Sequence, residues 1–521
     1  ASKVDMSPEE RASLQESGDA LIREGKVGVV ILAGGQGSRL GFNHPKGKYD
    51  IGLPSGKSLF QILTERFFRA QLAAHRVDVE SESLADGTQV PVVPQAAQKC
   101  RMFVMTSFEN HEETVQFFRD HAFFGGKESS FVFFPQAMLP AVTEEGKIML
   151  SDYHTIKLAP NGNGALFDSI RTRTEIQQMI GGLEYVQIIG VDNALNKVLD
   201  PVQVGFTHSK GLTTSLKAVP KRGPEEKVGV IGKKNGKYQI VEYSELPTEM
   251  AVQRDESGAL KYNHGHVLVF MVKASFLLQL ATGSASQNAL YHKAHKKIAH
   301  CDPETWEDIT PAAENGWKFE LFVHNFMPMV EQGKLGVLMV DRETEFGPVK
   351  NANGPALTAQ GLPAEPLPDT PAYARKLVLQ EASAWLARQE EDGPAQCLHQ
   401  LSTSQLKHKQ MTQSKELDLV AVAASTSEVK LFQIATAAKG GSTQLSKCVT
   451  LTGHKREVIA VNFDSNVCIS VATDNQLILS RVLGSAKQMS FQAKTIFKQP
   501  FEAVASTQVA VKRVPSLGQE A

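Results

Sequence analysis

Three glycines within four positions, Gly34, Gly35 and Gly37, stand just before Arg39. Glycine lets backbone N–H groups approach an anion closely, and a guanidinium presents a planar fork that matches phosphate oxygens. The chemistry suggested is phosphate binding. Spacing excludes two better-known phosphate loops. A dinucleotide fingerprint requires GxGxxG, but after Gly35 and Gly37 the next glycine is Gly41, one residue late. A P-loop requires GxxxxGK[ST], and Gly52 to Ser58 is one residue short. On the glycines alone, an ordinary turn is an equal reading. Lys46, in Pro45-Lys46-Gly47, and Lys350, in Gly347-Pro348-Val349-Lys350, could also meet phosphates. Taken singly, each reads as a solvated lysine. Asp192 closes an apolar run. A carboxylate there is costly unless it meets a cation; a helix N-cap is the alternative.

The elements that position these groups read as strands and helices in alternation. Lys26 to Leu32 is an apolar, β-branched run that feeds the glycine loop. Arg101 to Thr106, Phe131 to Phe134 and Tyr185 to Val191 are further strands, with helices over Ser58–Ala74 and Asn110–His121. This alternation predicts an α/β domain with a mixed, mostly parallel sheet. Ligands of such sheets sit beyond the carboxyl ends of the strands, where the glycine loop and Asp192 both fall. Ser7-Pro8-Glu9-Glu10 predicts a helix start with Ser7 as N-cap and Glu10 closing a capping box. Asn235-Gly236 predicts a hairpin turn. Val267 to Ala281 fits a buried strand followed by a helix.

Length and composition bound the rest. The chain has 521 residues, 42% hydrophobic and 21% charged, which suffices for a large core and about three domains. Lysine plus arginine is 55 and aspartate plus glutamate 56, a net charge of −1 that disfavours a dedicated nucleic-acid binder. Five cysteines without a CxxC pair suggest a reducing compartment. No membrane span and no secretory signal are read, so the expected location is cytoplasmic.

The stretch LAGGQGSRLGFNHPKGKYDIGLPSGKSLFQI (Leu32 to Ile62) resembles the signature of eukaryotic UDP-N-acetylhexosamine pyrophosphorylases. FPQAMLPAV, LAPNGNGALF, GVDNALNKVLDP, VGVIGKKNGKYQIVEYSE, KYNHGHV, NGWKFELFVHNF and EFGPVKNANG resemble the same family in the same order, over roughly residues 26–355. The resemblance implies a Rossmann-like nucleotidyltransferase core. It implies a uridylyltransferase that joins UTP and N-acetylglucosamine 1-phosphate into UDP-N-acetylglucosamine and pyrophosphate, with Mg²⁺ as cofactor. It assigns Leu32, Gly34, Gly35, Gly37, Lys46, Gln136, Gly162 and Asn163 to the nucleotide. It assigns Gly229, Glu242, Asn263 and Phe322 to the sugar, and Asp192 to the metal. Arg39, Lys46 and Lys350 would act in catalysis by offsetting phosphate charge. Related enzymes acting on another sugar 1-phosphate (N-acetylgalactosamine, glucose or galactose) and a non-catalytic scaffold are the alternatives. A monomer or weak homodimer is expected, with no nucleic-acid or membrane partner.

The chain departs from the family in four places. Asn263-His264-Gly265-His266 stands where the family usually has NAGN, and His324 where a second phenylalanine is common. Only 31 residues precede Leu32. The segment after the linker lacks the family's usual sequence. Leu417–Ile434 and Leu451–Val482 instead weakly resemble WD-repeat blades through Gly453-His454 and Asp474. The expected organisation is a helical segment at 1–25, a catalytic domain at 26–355, a linker and helix at 356–394, and a β-rich domain at 395–521.

Overall fold

The computed structural model describes residues 1–77, 94–283, 291–355 and 365–384 with their side chains. Residues 80–83, 89–92 and 385–392, and the strands between Met411 and Pro500, are described by backbone alone. The chain divides into two units at Glu381/Ala382.

The first unit is built on α1 (Pro8–Arg23), β1 (Val27–Leu32), α2 (Leu59–His75), β2 (Arg101–Thr106), α3 (His111–Asp120), β3 (Phe131–Pro135) and β4 (Tyr185–Gly190). There follow α4 (Pro201–Ser209), β5 (Thr214–Pro220), β6 (Val230–Lys234), β7 (Lys237–Val241), β8 (His264–Lys273), α5 (Ala274–Thr282), β9 (Leu335–Met339) and α6 (Pro371–Asp392), of which α6 runs on past Glu381. The central sheet has nine strands in the order β7-β6-β8-β4-β1-β2-β3, and β5 joins β8 to β9. Strands β4, β1, β2 and β3 run parallel; β8 is antiparallel to β4 and marks where the sheet becomes mixed.

Both faces of this sheet are covered. Val27, Val29 and Ile31 of β1 enter one core with Phe60, Phe67 and Phe118, while Val30 and Leu32 enter the other with Leu166, Ile170 and Phe270. The strand period of two sends alternate residues to opposite cores. With both cores apolar, the strand reads as one unbroken hydrophobic run.

Helix α1 starts at the predicted cap. Ser7 Oγ accepts from the Glu10 N–H at 3.1 Å, and Pro8 occupies the first turn. Leu14, Gly18 and Ile22 form its buried stripe. The stripe crosses α4 at a glycine pair. A Cβ on Gly18 would lie 2.0 Å from the Pro201 carbonyl oxygen, and one on Gly205 would lie 1.8 Å from that of Leu14. Backbone atoms cannot rotate out of the way, so Gly205→Ala forces the helices apart. A loss of about 1–3 kcal/mol is expected, as in other overpacked cores, read as a lower urea midpoint at unchanged slope. An unchanged midpoint would place the helices further apart than described.

Asn235 and Gly236 both adopt positive φ, 52° and 74°, between Lys234 and Lys237 of the β6–β7 hairpin. Two residues in the left-handed region make this the primed turn that a tight hairpin requires.

The second unit contains two four-stranded antiparallel meanders. The first runs Met411–Ser414, Leu419–Ala423, Val429–Ala435, Gln444–Leu451. The second runs Val458–Asp464, Val467–Ala472, Gln476–Ser485, Ser490–Pro500. Gly453, His454 and Asp474, which carry the blade likeness, lie outside the described residues, as does linker segment 356–364. Among the described residues, no helix is long and apolar enough to cross a membrane.

Candidate active site

The parallel strands all deliver loops to their carboxyl edge. β1 ends at Leu32, which is buried, and Ala33 leads into the glycine loop. The Ala33 N–H donates to the Met105 carbonyl at 2.8 Å, and the Asn110 amide donates to the Ala33 carbonyl at 3.1 Å. The loop is therefore tied to β2 before it turns outward. It then doubles back: the Gly37 N–H donates to His44 O at 3.0 Å, and the Lys46 N–H donates to Gly35 O at 3.1 Å. This fold-back carries Lys46 to the same edge. Glu113, in the first turn of α3, holds the outer side by accepting from Lys48 at 2.5 Å and pairing with His44 at 2.7 Å.

Gln136 follows β3 and is buried with its amide against Gly34, where a Cβ would sit 3.0 Å from it. Gly35 opens into free space. Arg39 is exposed and makes no ion pair among the described residues.

Asp192 lies two residues beyond β4. Its carboxylate is 26% exposed and stands 3.9 Å from Lys46 Nζ, too far for a hydrogen bond. The segment Gly347–Lys350 runs alongside: the Val349 N–H donates to Asp192 O at 2.9 Å, and the Ala194 N–H donates to Gly347 O at 3.2 Å. Lys350 is thus one residue from the strand-like contact with Asp192. Its ammonium lies 5.9 Å from the Phe346 ring centroid. Lys46, Asp192 and Lys350 are brought together from three distant parts of the chain. Lys46 and Asp192 face one another, and the Lys350 segment joins them through backbone bonds beside the glycine loop.

A protein-only metal cage is not present: among the described residues, no group of three or more His, Cys, Asp or Glu side chains could hold an ion. One accessible carboxylate at the carboxyl edge of the sheet, beside the glycine loop, is chemically compatible with Mg²⁺. That ion keeps octahedral oxygen coordination and is commonly held by one or two carboxylates plus phosphate oxygens.

The residues assigned to the sugar form a second group. Gly229 lies beside Glu242, with a Cβ position 3.4 Å from Glu242 Oε1. Burial, with Glu245 adding to it, raises the Glu242 carboxyl above its usual range; His292 and Lys350 pull the other way. His324 Nε2 stands 3.6 Å from Glu242 Oε1. The Phe322 ring stacks on His324 at 5.2 Å, and the His292 ring lies tilted against Phe322 at 4.5 Å. His266 lies next in the row, 6.4 Å from His324. Two departures from the family pattern, 58 residues apart in sequence, thus adjoin in space.

Asn163 and Asn263 are both anchored to backbone. Asn163 Oδ1 accepts from the Val323 N–H at 2.8 Å, and Asn263 Oδ1 accepts from the Lys221 N–H at 2.7 Å. Gly162, at φ 70°, and Gly164 press against the Leu321 backbone, with Cβ positions 2.5 Å and 2.9 Å from its carbonyl oxygen. Their glycine identity is a packing requirement. Sequence reasoning left Asn110, Glu113 and Asn193 without roles. Only Asn193 had a local signal, its place beside Asp192.

His324 gives a pH prediction. Burial, helped by His292, lowers its pKa from 6.5 to about 4. Above 6.5 both folded and unfolded states are neutral and stability is complete. Between 6.5 and about 4 the unfolded state binds a proton that the folded state refuses, so stability falls as pH falls. His324→Phe should flatten the slope of melting temperature against pH in this window. An unchanged slope would mean that His324 is not the titrating group.

The sequence family described as UTP--glucose-1-phosphate uridylyltransferase matches residues 5–361. The chain belongs to this uridylyltransferase family. Among its relatives, the probable UDP-N-acetylglucosamine pyrophosphorylase of Dictyostelium discoideum is 37% identical over 350 residues, 66% of this chain and 69% of that protein. The UDP-N-acetylglucosamine pyrophosphorylase of Saccharomyces cerevisiae is 35% identical over 370 residues, 70% of each chain. Among solved structures, the uridine diphosphate N-acetylglucosamine pyrophosphorylase from Trypanosoma brucei, in complex with inhibitor, superposes with a TM-score of 0.62 at 31% identity. That superposition covers 74% of this chain and 71% of the other. The uridylyltransferase match stops at residue 361. It therefore lends no support to the propeller-blade likeness of the C-terminal strands.

Proposed function

We propose that this chain transfers a uridylyl group from UTP to N-acetylglucosamine 1-phosphate, giving UDP-N-acetylglucosamine and pyrophosphate. The observation that carries this reading is the grouping of Lys46, Asp192 and the Lys350 segment at the carboxyl edge of β1 and β4, beside the glycine loop. Relatives named for this activity support it.

Both reactants are anions, so the reaction needs charge neutralisation and alignment more than a covalent nucleophile. The sugar phosphate oxygen attacks the α-phosphorus of UTP in line, and pyrophosphate leaves. Gly34, Gly35 and Gly37 admit the nucleotide close to backbone N–H groups, with Leu32, Gln136, Gly162 and Asn163 around the base. Arg39 and Lys46 offset the charge of the triphosphate and of the leaving pyrophosphate. Lys350 faces the attacking phosphate. Gly229, Glu242, Asn263 and Phe322 receive the sugar. Asp192 would hold Mg²⁺ together with phosphate oxygens; bound there, the ion supplies positive charge to the phosphates. The catalytic body on this reading spans 26–355, with 1–25 packed on it, a linker and helix at 356–394, and a separate β-rich region at 395–521. The reaction belongs in the cytoplasm, with the enzyme a monomer or weak homodimer.

The test is pyrophosphate release from UTP against a panel of sugar 1-phosphates. The expected result is fastest release with N-acetylglucosamine 1-phosphate, lost with a chelator and restored by Mg²⁺. Faster release with glucose or galactose 1-phosphate would reassign the sugar. No release with any sugar would sink the enzyme reading.

A further inference from the structure

Asn193 is 3% exposed and uses every hydrogen-bonding position of its side chain. Its Nδ2 donates to Asn196 Oδ1 at 2.9 Å and to the Glu345 carbonyl at 2.8 Å. Its Oδ1 accepts from the Leu195 N–H at 3.1 Å and from the Gly347 N–H at 2.8 Å. Two of these bonds close the local turn after Asp192. The other two grip the backbone of Glu345 and Gly347, on either side of Phe346, in the segment that leads to Lys350. No other residue type offers two donors and two acceptor sites on so short a stem.

The contact it controls is small. Asn193 and Pro348 form an isolated bridge, flanked by the Val349–Asp192 and Ala194–Gly347 backbone bonds. No extended ladder fixes the register here. Pro348 has no N–H to contribute, and a slip would displace Lys350 relative to Asp192. Behind the bridge, Glu345 is pinned by Lys3 at 2.7 Å and by Lys217. The segment is therefore anchored at Glu345, and at its other end the Lys350 N–H donates to the Asp369 carbonyl at 2.9 Å; between these anchors the amide of Asn193 sets the register against the Asp192 turn.

We infer that Asn193 is a positioning residue for the uridylyl transfer: it sets the register between the Asp192 and Lys350 segments and so fixes Lys350 relative to Asp192. This rests on the reading of Lys350 as a charge-stabilising group. A misplacement of about 1 Å in such a group can cost on the order of 100-fold in rate.

The decisive experiment is a double-mutant cycle on pyrophosphate release. Asn193→Ala should lower kcat about 100-fold, with KM for UTP changed less than threefold. In a Lys350→Ala background the same substitution should lower kcat less than threefold, because nothing remains for it to position. Asn193→Ser is the second variant. Its hydroxyl can still accept from the Leu195 N–H but cannot span to Glu345 and Gly347, so it should show the same kcat loss if the alanine variant does not fold. Full additivity in the cycle would overturn the inference and make Asn193 merely structural. A wild-type chain that releases no pyrophosphate with any sugar 1-phosphate would instead overturn the functional reading.

Discussion

Lys350→Ala should lower kcat by about 10²–10³-fold while leaving KM for UTP within a few-fold. Preorganised donors aimed at charge that develops in the transition state carry effects of this size. Lys350 has the features of such a donor. Its backbone is held by the Asp369 carbonyl, to which the Lys350 N–H donates at 2.9 Å, and its neighbour Val349 is bonded to Asp192. Its ammonium makes no ion pair among the described residues, so its charge is available to a ligand. An interaction formed mainly in the transition state lowers kcat and kcat/KM together, whereas uniform binding appears in KM alone. Steady-state pyrophosphate release with varied UTP and sugar 1-phosphate separates the two. Unchanged turnover would remove Lys350 from the mechanism. A pure KM effect for the sugar phosphate would make it a binding group only.

The second large effect is on stability. Lys217→Met should destabilise the catalytic unit by about 3–5 kcal/mol, the cost of leaving a buried charge without its partner. Lys217 is 1% exposed and bonds Asp200 at 2.5 Å and also Glu345. Lys3 bonds the same two carboxylates at 2.6 Å and 2.7 Å. The four charges balance. Burial would push Asp200 and Glu345 upward, but Lys217 and Lys3 hold both carboxyls below their usual range. Removing Lys217 leaves two buried carboxylates facing one ammonium. The double variant Lys217→Met, Glu345→Gln leaves Lys3 paired with Asp200, removes that imbalance and should recover much of the loss. Chemical denaturation of the three proteins checks this. Equal midpoints for wild type and Lys217→Met would show that the cluster contributes no net stability. Because both carboxyls are depressed, the stability they contribute is present above the ordinary carboxylate range and is lost as pH falls below it.

The parts of this structure that sequence revealed are those with a local signature. The β-branched run before Gly34 gave β1 because a strand buried on both faces needs no polar alternation. Ser7-Pro8 gave the start of α1, and Asn235-Gly236 gave a turn, through backbone preferences confined to two or three residues. The glycine loop was visible as a phosphate candidate, yet its spacing alone could not distinguish it from a turn. The clustering of Lys46, Asp192 and Lys350 was legible only through ordered resemblance. Those residues are 146 and 158 positions apart in sequence, and no periodicity links them. The same holds for Asn193 with Gly347 and for His266 with His324. Such contacts are created when strands align in the sheet, and their residue types carry no mark of it beforehand.

The charge cluster also constrains the order in which the molecule can complete itself. Asp200 and Lys217 are separated by 17 positions, whereas Lys3 and Glu345 are separated by 342. The first pair can meet as soon as α4 and β5 exist. The second must wait until residue 345 has left the ribosome, at about 5–20 residues per second. Until then Lys3 can meet Asp200 but not Glu345, and its backbone bond to Met339 must wait for that residue as well. The backbone of residues 1–3, which pairs with Val337 and Met339, and the Lys3–Glu345 pair are therefore completed late, next to the segment leading to Lys350. Completion of the buried cluster and docking of the segment that carries Lys350 thus both wait for the same late stretch of chain.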